Sequence, residues 1–195
     1  VMLGEVDNDI LLMKSNRYGD MEWQQSFGGS QMDIASHIEQ TSDGGFIISA
    51  TTESYGQGGK DIWLFKTSSS GLIEWNKYIG TPYDDYSGQV LETDDGGFIL
   101  IGSRGSSDQN DNDIWLIKTN SQGDSSWTRS YGGNQFDRGN DILADDQGGF
   151  ILLGSTESQG NGGKDIWLLK VDEDGNDQWN NTCLLYTSPS PRDKT

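Results

Sequence analysis

Two kinds of short apolar run alternate along this chain, each cut off by polar, glycine-rich segments. One kind reads DIWLFK, DIWLIK and DIWLLK, and the other FIISA, FILIG and FILLG. Neither alternates apolar with polar, as a half-buried strand would; both are apolar on both faces, the pattern of a strand held between two layers. Weaker, mixed-polarity strands lie between them, such as SHIEQT and the stretch that carries the tryptophan of GNDQW. SDGG or DDGG stands directly before the FI runs and supplies residues tolerant of positive φ, which predicts a tight hairpin turn there. Polar loops such as SQGNGGK lead back to the next DIW.

The order recurs with a fixed period. Asp9, Asp61, Asp113 and Asp165 are each 52 residues apart, and the same spacing links Lys14, Lys66, Lys118 and Lys170. All seven tryptophans fall at two positions of the unit: Trp63, Trp115 and Trp167 in DIW, and Trp23, Trp75, Trp127 and Trp179 in a Gly-x-x-x-Trp element. Phe46, Phe98 and Phe150 recur in GGF. The units join near 8/9, 60/61, 112/113 and 164/165. Four short antiparallel strands per 52 residues describe one blade of a β-propeller; a β-solenoid has shorter coils and fewer hairpins. The predicted fold is therefore all-β, with about 3.5 four-stranded blades over residues 1–182. A blade cannot cover its own faces, so blades must stack, each tryptophan removing ~150–250 Å² from water. The chain is expected to begin inside the loop before DIW and to stop inside the second strand of its last unit. Residues 1–182 are accordingly expected to be a piece of a longer polypeptide.

Composition narrows the function. Hydrophobic residues make up only 32% of the 195, yet aromatics reach 10%, unlike a disordered chain. No apolar run is long enough to cross a bilayer. The formal net charge of −18 repels phosphate backbones and sets nucleic acid aside as a partner.

Residues present in every unit are most simply what every blade needs. The tryptophans and the GGF phenylalanines are assigned to the repeat core, with a sugar-stacking platform as the tryptophans' functional alternative. The Asp9/Lys14-type pairs bracket one strand and read as strand-end charges on a solvated rim. Asp33, Asp85 and Asp137 each follow a YGG-type turn, where a carboxylate accepts from backbone amides of its own loop. Their ligand-binding alternative is an acidic ring on one face, able to hold cations or hydroxyl-rich ligands. Asp84, adjacent to Asp85 in TPYDDY, joins them as a candidate; in an enzyme, Asp84, Asp85 and Asp137 would converge in one pocket. His37 is the single histidine, with Gln89 and Asp141 as its counterparts, and reads as a surface or packing residue. DQNDND imitates the opening of a calcium loop through Asp108, Asn110 and Asn112. Asp113 stands where that loop needs glycine and Thr119 where it needs glutamate, leaving a weak calcium site as the one metal or cofactor expectation. There is no phosphate-cradling glycine loop, zinc spacing or nucleophile elbow.

Three resemblances follow from these motifs. DIWLLKVDEDGNDQW resembles the second half of a kelch-type blade, although Ser49-Ala50, Gly102-Ser103 and Gly154-Ser155 stand where kelch blades carry paired glycines. The Gly-x-x-x-Trp element resembles the docking repeat of quinoprotein-like propellers, whose tryptophan packs between adjacent blades. The whole DGGF…DIWLxK…GxxxW unit is similar to tandem repeats of large secreted or surface proteins of bacteria and archaea. That likeness implies an extracellular or cell-surface setting. The expected function is a non-catalytic propeller segment presenting loops for protein or glycan binding and adhesion. The alternative is part of an enzyme propeller, glycan-active or quinoprotein-like, with catalytic residues partly outside the chain. CLLYTSPSPRD resembles a translated sequencing adapter, so residues 183–195 are expected to be a non-native, disordered tail.

Overall fold

The two-faced apolar runs become the central strands of stacked sheets. A computed structural model describes residues 1–108, 111–160 and 162–183, and these form fifteen strands and no helix. Residues 184–195, most of the expected tail, lie outside the described residues. The first sheet holds β1 (Met2–Val6), β2 (Asp9–Ser15) and β3 (Met21–Phe27). The second holds β4 (Asp33–Gln40), β5 (Phe46–Thr52), β6 (Asp61–Thr67) and β7 (Ile73–Ile79). β8 (Tyr86–Glu92), β9 (Phe98–Gly105), β10 (Asn112–Thr119) and β11 (Ser125–Tyr131) form the third. The fourth contains β12 (Asp137–Ala144), β13 (Phe150–Thr156), β14 (Asp165–Val171) and β15 (Asp177–Cys183). Every sheet is antiparallel in chain order, giving a propeller-like repeat of about 3.5 blades that does not close.

Each sheet has two unlike faces. In the second sheet, Trp63, Phe65, Phe46, Ile48 and Ala50 form a back face that packs on Ile10 and Leu12 of the first. Its front face, Ile47, Ile62 and Leu64, receives Trp115, Ile117, Phe98 and Leu100 of the third. The third sheet's Ile99, Ile101, Ile114 and Leu116 in turn receive Trp167, Leu169, Phe150 and Leu152. The DIW tryptophans are thus the buried centre of each junction, at 3, 7 and 4% exposure for Trp63, Trp115 and Trp167. β5 and β6, covered on both sides, are buried at every position.

The second set of tryptophans ties each sheet to the turn of the next. Trp23 lies edge-on to Phe46 with ring centroids 6.2 Å apart, and Trp75 is 5.7 Å from Phe98. A side chain added at Gly71 would sit 2.7 Å from the Trp23 ring, and one at Gly175 2.9 Å from that of Trp127. Both glycines also have positive φ, 80° and 77°, so the Gly-x-x-x-Trp element needs glycine for conformation and for space.

The hairpin before each FI strand is locked from the neighbouring strand. Asp43 Oδ1 accepts from Thr41 Oγ1 at 2.6 Å and from the Gly45 amide at 2.9 Å, while Lys66 Nζ holds Oδ2 at 2.6 Å. Asp95 repeats the arrangement with Thr93, Gly97 and Lys118, and the Lys118 ammonium pulls its carboxyl down to about 2. In the fourth sheet Gln147 takes the aspartate's place, and Asp145 captures Lys170 instead.

Two expectations are corrected here. The residues before Asp9, where the first unit opens, are not loop: Met2–Val6 pairs with Asp9–Met13 through a tight turn in which Asp7 and Asn8 have φ of 50° and 72°. Positive φ at both central residues matches the right-handed twist of a hairpin. The recurring aspartates and lysines are also not all on a solvated rim. Asp61, Asp165 and Lys66 are buried, the lysine because it bridges Asp43 and Glu74, whereas the Lys14 side chain keeps 36% exposure beside Glu22.

The two tryptophan classes should respond differently to truncation. Trp115→Ala is expected to cost about 3–5 kcal/mol, whereas Trp179→Ala, at 43% exposure, should cost under about 1 kcal/mol. Denaturant midpoints of the two variants check this.

Candidate functional site

The first strand of each four-stranded sheet, β4, β8 and β12, lies innermost, β4 against β8 and β8 against β12. All three break register at the same place. The pairing slips between Ala35 and His37, between Ser87 and Val90, and between Gly139 and Asp141. A bulge adds an unpaired residue and re-aims the side chains beside it. Here it marks the strand positions that line a cleft of about 740 Å³, whose polar lining includes Ser36, His37, Gln89, Arg138, Asp141 and Lys164.

His37, Gln89 and Asp141 are equivalent positions of three successive units, yet three different chemical groups. Burial lowers the His37 imidazole from its ordinary value of 6.5, against the opposing charge of Asp141. His37 Nδ1 is buried with no protein partner. Gln89 Oε1 accepts from the Ile142 amide at 2.8 Å, bracing β8 against β12. Arg138, Lys164 and His37 face a single lining carboxylate, Asp141, in a chain of net charge −18. Smaller cavities of about 440 and 420 Å³ are lined largely by turn residues and by Trp127, Lys118 and Asp95, which the stacking and the turns already use.

The aspartates singled out by sequence are placed elsewhere. Asp33, Asp85 and Asp137 are fully buried at 0% exposure. Asp33 Oδ2 accepts from the Gly29 amide at 2.9 Å and from Ser54 Oγ at 2.8 Å. Asp137 Oδ2 accepts from the Gly133 amide at 3.0 Å. Asp85 accepts from the Thr81 amide and, at 2.9 Å, from the Gly105 amide. Each is therefore engaged by its own YGG-type turn and by the end of the next strand or the loop just after it. Each also shares its glycine with a DIW aspartate: a side chain at Gly80 would overlap Asp61 Oδ1 and approach Asp85 Oδ2 to 3.1 Å, and Gly132 stands likewise between Asp113 and Asp137. Burial, then the Asp61 charge, pushes Asp85 up; burial, then Asp111 and Asp137, pushes Asp113 up.

Asp84, next in sequence to Asp85, points the other way, its Oδ1 accepting from the Lys60 amide at 3.1 Å. Asp84, Asp85 and Asp137 thus sit with different partners, Asp137 at the start of β12 in another sheet. Of the calcium candidates, Asn110 lies outside the described residues. Asn112 begins β10 opposite Gly105, and the Asp108 carbonyl accepts from the Asp111 amide at 2.9 Å. Among the described residues, no three His, Cys, Asp or Glu side chains are grouped to hold a metal ion, and no helix is long and apolar enough to cross a membrane.

Sequence reasoning read His37 as a surface or packing residue and gave no sign of the cleft. The usable signal was the failure of the repeat at 37, 89 and 141; that these positions flank bulges on the innermost strands emerges only from the fold.

No known family matches this chain, and no curated protein does. Among solved structures it is similar to a protein of unknown function from Bacteroides caccae. The two share 10% identity over 90% of this chain and 78% of that one, with a TM-score of 0.37.

Two outcomes follow from this geometry. Gly80→Ala should destabilise by about 1–3 kcal/mol by forcing a methyl onto a buried carboxylate, while Gly4→Ala, with nothing within 4 Å of the added methyl, should be neutral or gain up to ~1 kcal/mol; thermal melts compare them. Because the Asp141 charge favours the imidazolium, Asp141→Asn should lower the His37 pKa further, read by NMR titration of the ring protons. A lowered histidine pKa means the unfolded chain binds the proton more readily, so the contribution of neutral His37 to stability is present above 6.5 and falls as pH drops below it.

Proposed function

We propose that this chain is a non-catalytic binding segment whose inner-strand cleft takes a hydroxyl-rich ligand bearing carboxylates, an acidic saccharide in chemical class. One observation carries this reading. The strand position occupied in turn by His37, Gln89 and Asp141 changes chemistry from unit to unit and lines a cleft of about 740 Å³, together with Arg138 and Lys164. Scaffold residues recur because every sheet needs them; a position freed from the repeat at a bulge is where recognition can be tuned. Arg138 supplies a fork suited to a carboxylate, Lys164 a point charge, and Gln89, Ser36 and Asp141 supply donors and acceptors for hydroxyls. The setting is the extracellular space or cell surface, as in the secreted tandem-repeat proteins that the DGGF…DIWLxK…GxxxW unit resembles. There, an acidic outer surface would keep the protein soluble while the cleft selects its ligand locally.

The test is calorimetric titration with oligogalacturonate against neutral oligosaccharides of the same length. Preferential binding of the acidic sugar, weakened at least about tenfold by Arg138→Ala, is expected, that factor corresponding to one lost charge-assisted hydrogen bond. Equal binding of both sugars, or an unchanged affinity in the variant, overturns the assignment.

A further inference from the structure

We propose that the front face of the fourth sheet is a docking seat for one more four-stranded sheet of this same repeat, supplied as a further unit in series. Three features of that face define the occupant, each by comparison with its equivalents 52 and 104 residues earlier.

The first is apolar surface. Ile166 and Leu153 are 42 and 39% exposed, while Ile114, Ile62 and Ile101 at the same positions are fully buried. What covers them in the earlier sheets is a tryptophan back face, Trp115 or Trp167 with its aliphatic neighbours. The second is an unsatisfied hydroxyl. Ser155 Oγ is buried and has no partner. Its equivalents Thr51 and Ser103 each accept a backbone amide from the innermost strand of the following sheet, Ser87 at 3.0 Å and Gly139 at 3.3 Å. The third is Trp179, whose equivalents Trp23, Trp75 and Trp127 all lie over the turn glycine of the next unit.

A partner that satisfies all three needs a tryptophan on its back face, an amide on an innermost strand and a glycine in its outer turn. Any apolar surface would answer the first requirement alone. The first sheet of a second copy answers the third through Gly19, which has nothing within 4 Å of its Cβ position. It fails the other two: Leu11 stands where the tryptophan should be, and the sheet has three strands with no counterpart of β4. Only a complete sheet of the repeat supplies the whole set. The junction is one-directional, front on back, and so propagates along a series of units rather than pairing a face with itself.

The experiment extends the chain in register. Residues 1–182 are followed directly by a second copy of residues 131–182, since position 183 is equivalent to 131 on the 52-residue period. Trp179 emission should move to shorter wavelength, and the added unit should resist limited proteolysis. Ile166→Glu should shorten the protease-resistant lifetime at least about tenfold in the extended chain and less than about twofold in the parent, because only there does the charge become buried. Trimming of the added unit back to the parent length overturns the proposal, as does an equal effect of Ile166→Glu in both chains. Concentration-dependent self-association of the parent that Ile166→Glu abolishes would place a second copy on the seat, and overturns it too.

Discussion

The stacking answers to one constraint: the central strands of the repeat are apolar on both faces. β5 and β6 are buried along their whole length, so a sheet built on them is viable only between two others. The two faces solve the problem unequally. A back face of tryptophan and phenylalanine meets a front face of branched aliphatics, and the same junction is made three times. Because the faces differ, a sheet cannot stack front to front as well as it stacks front to back. The direction of the array is therefore written into each unit, and stability is accumulated junction by junction rather than from a single centre.

Polar residues are subordinated to that stacking. A lysine at the end of each DIW strand reaches across one register step to hold the aspartate that shapes the adjacent hairpin, as Lys66 does for Asp43. At the other end of the same strand, Asp61 is buried beside Asp85, two like charges that would repel if left to each other. The Gln57 and Gly58 amides donate to Asp61, and those of Thr81 and Gly105 donate to Asp85. The carboxylates thus act as caps for loop backbone, and the glycine between them is fixed by the space they occupy. Among the described residues five of the chain's 31 aspartates and glutamates, Asp33, Asp61, Asp85, Asp137 and Asp165, are buried in this way.

The 52-residue period was enough to establish strand class, strand order and the hairpins, because recurrence at Asp61, Trp63, Lys66, Gly71 and Trp75 leaves little freedom in how a unit can fold. It could not establish what depends on contact between units. Lys66 is charged and ends a strand, which in isolation is the profile of a surface residue; only its bridge between Asp43 and Glu74 explains its burial. Asp7-Asn8 is a turn by chemistry, but the strand before it, MLGEV, shares little with FIISA or FILIG, and the period offered no guide. The cleft was hidden for a third reason. His37 has no partner nearby in sequence, and the residues that share the cleft with it, Gln89 and Asp141, lie 52 and 104 positions later.

That replacement carries weight because of what it leaves untouched. None of His37, Gln89 and Asp141 belongs to the three apolar clusters that hold the sheets together. Gln89 contributes one brace, to the Ile142 amide, while His37 and Asp141 line the cleft on either side of it. A position so detached from the stacking can change from imidazole to amide to carboxylate without disturbing a junction. The same freedom does not exist at Asp33, Asp85 and Asp137, where the aspartate is retained in every unit to satisfy the amides of its own turn. In this fold, constancy at the turns and variation at the inner bulges are two consequences of one arrangement, and the second is where ligand chemistry has room to enter.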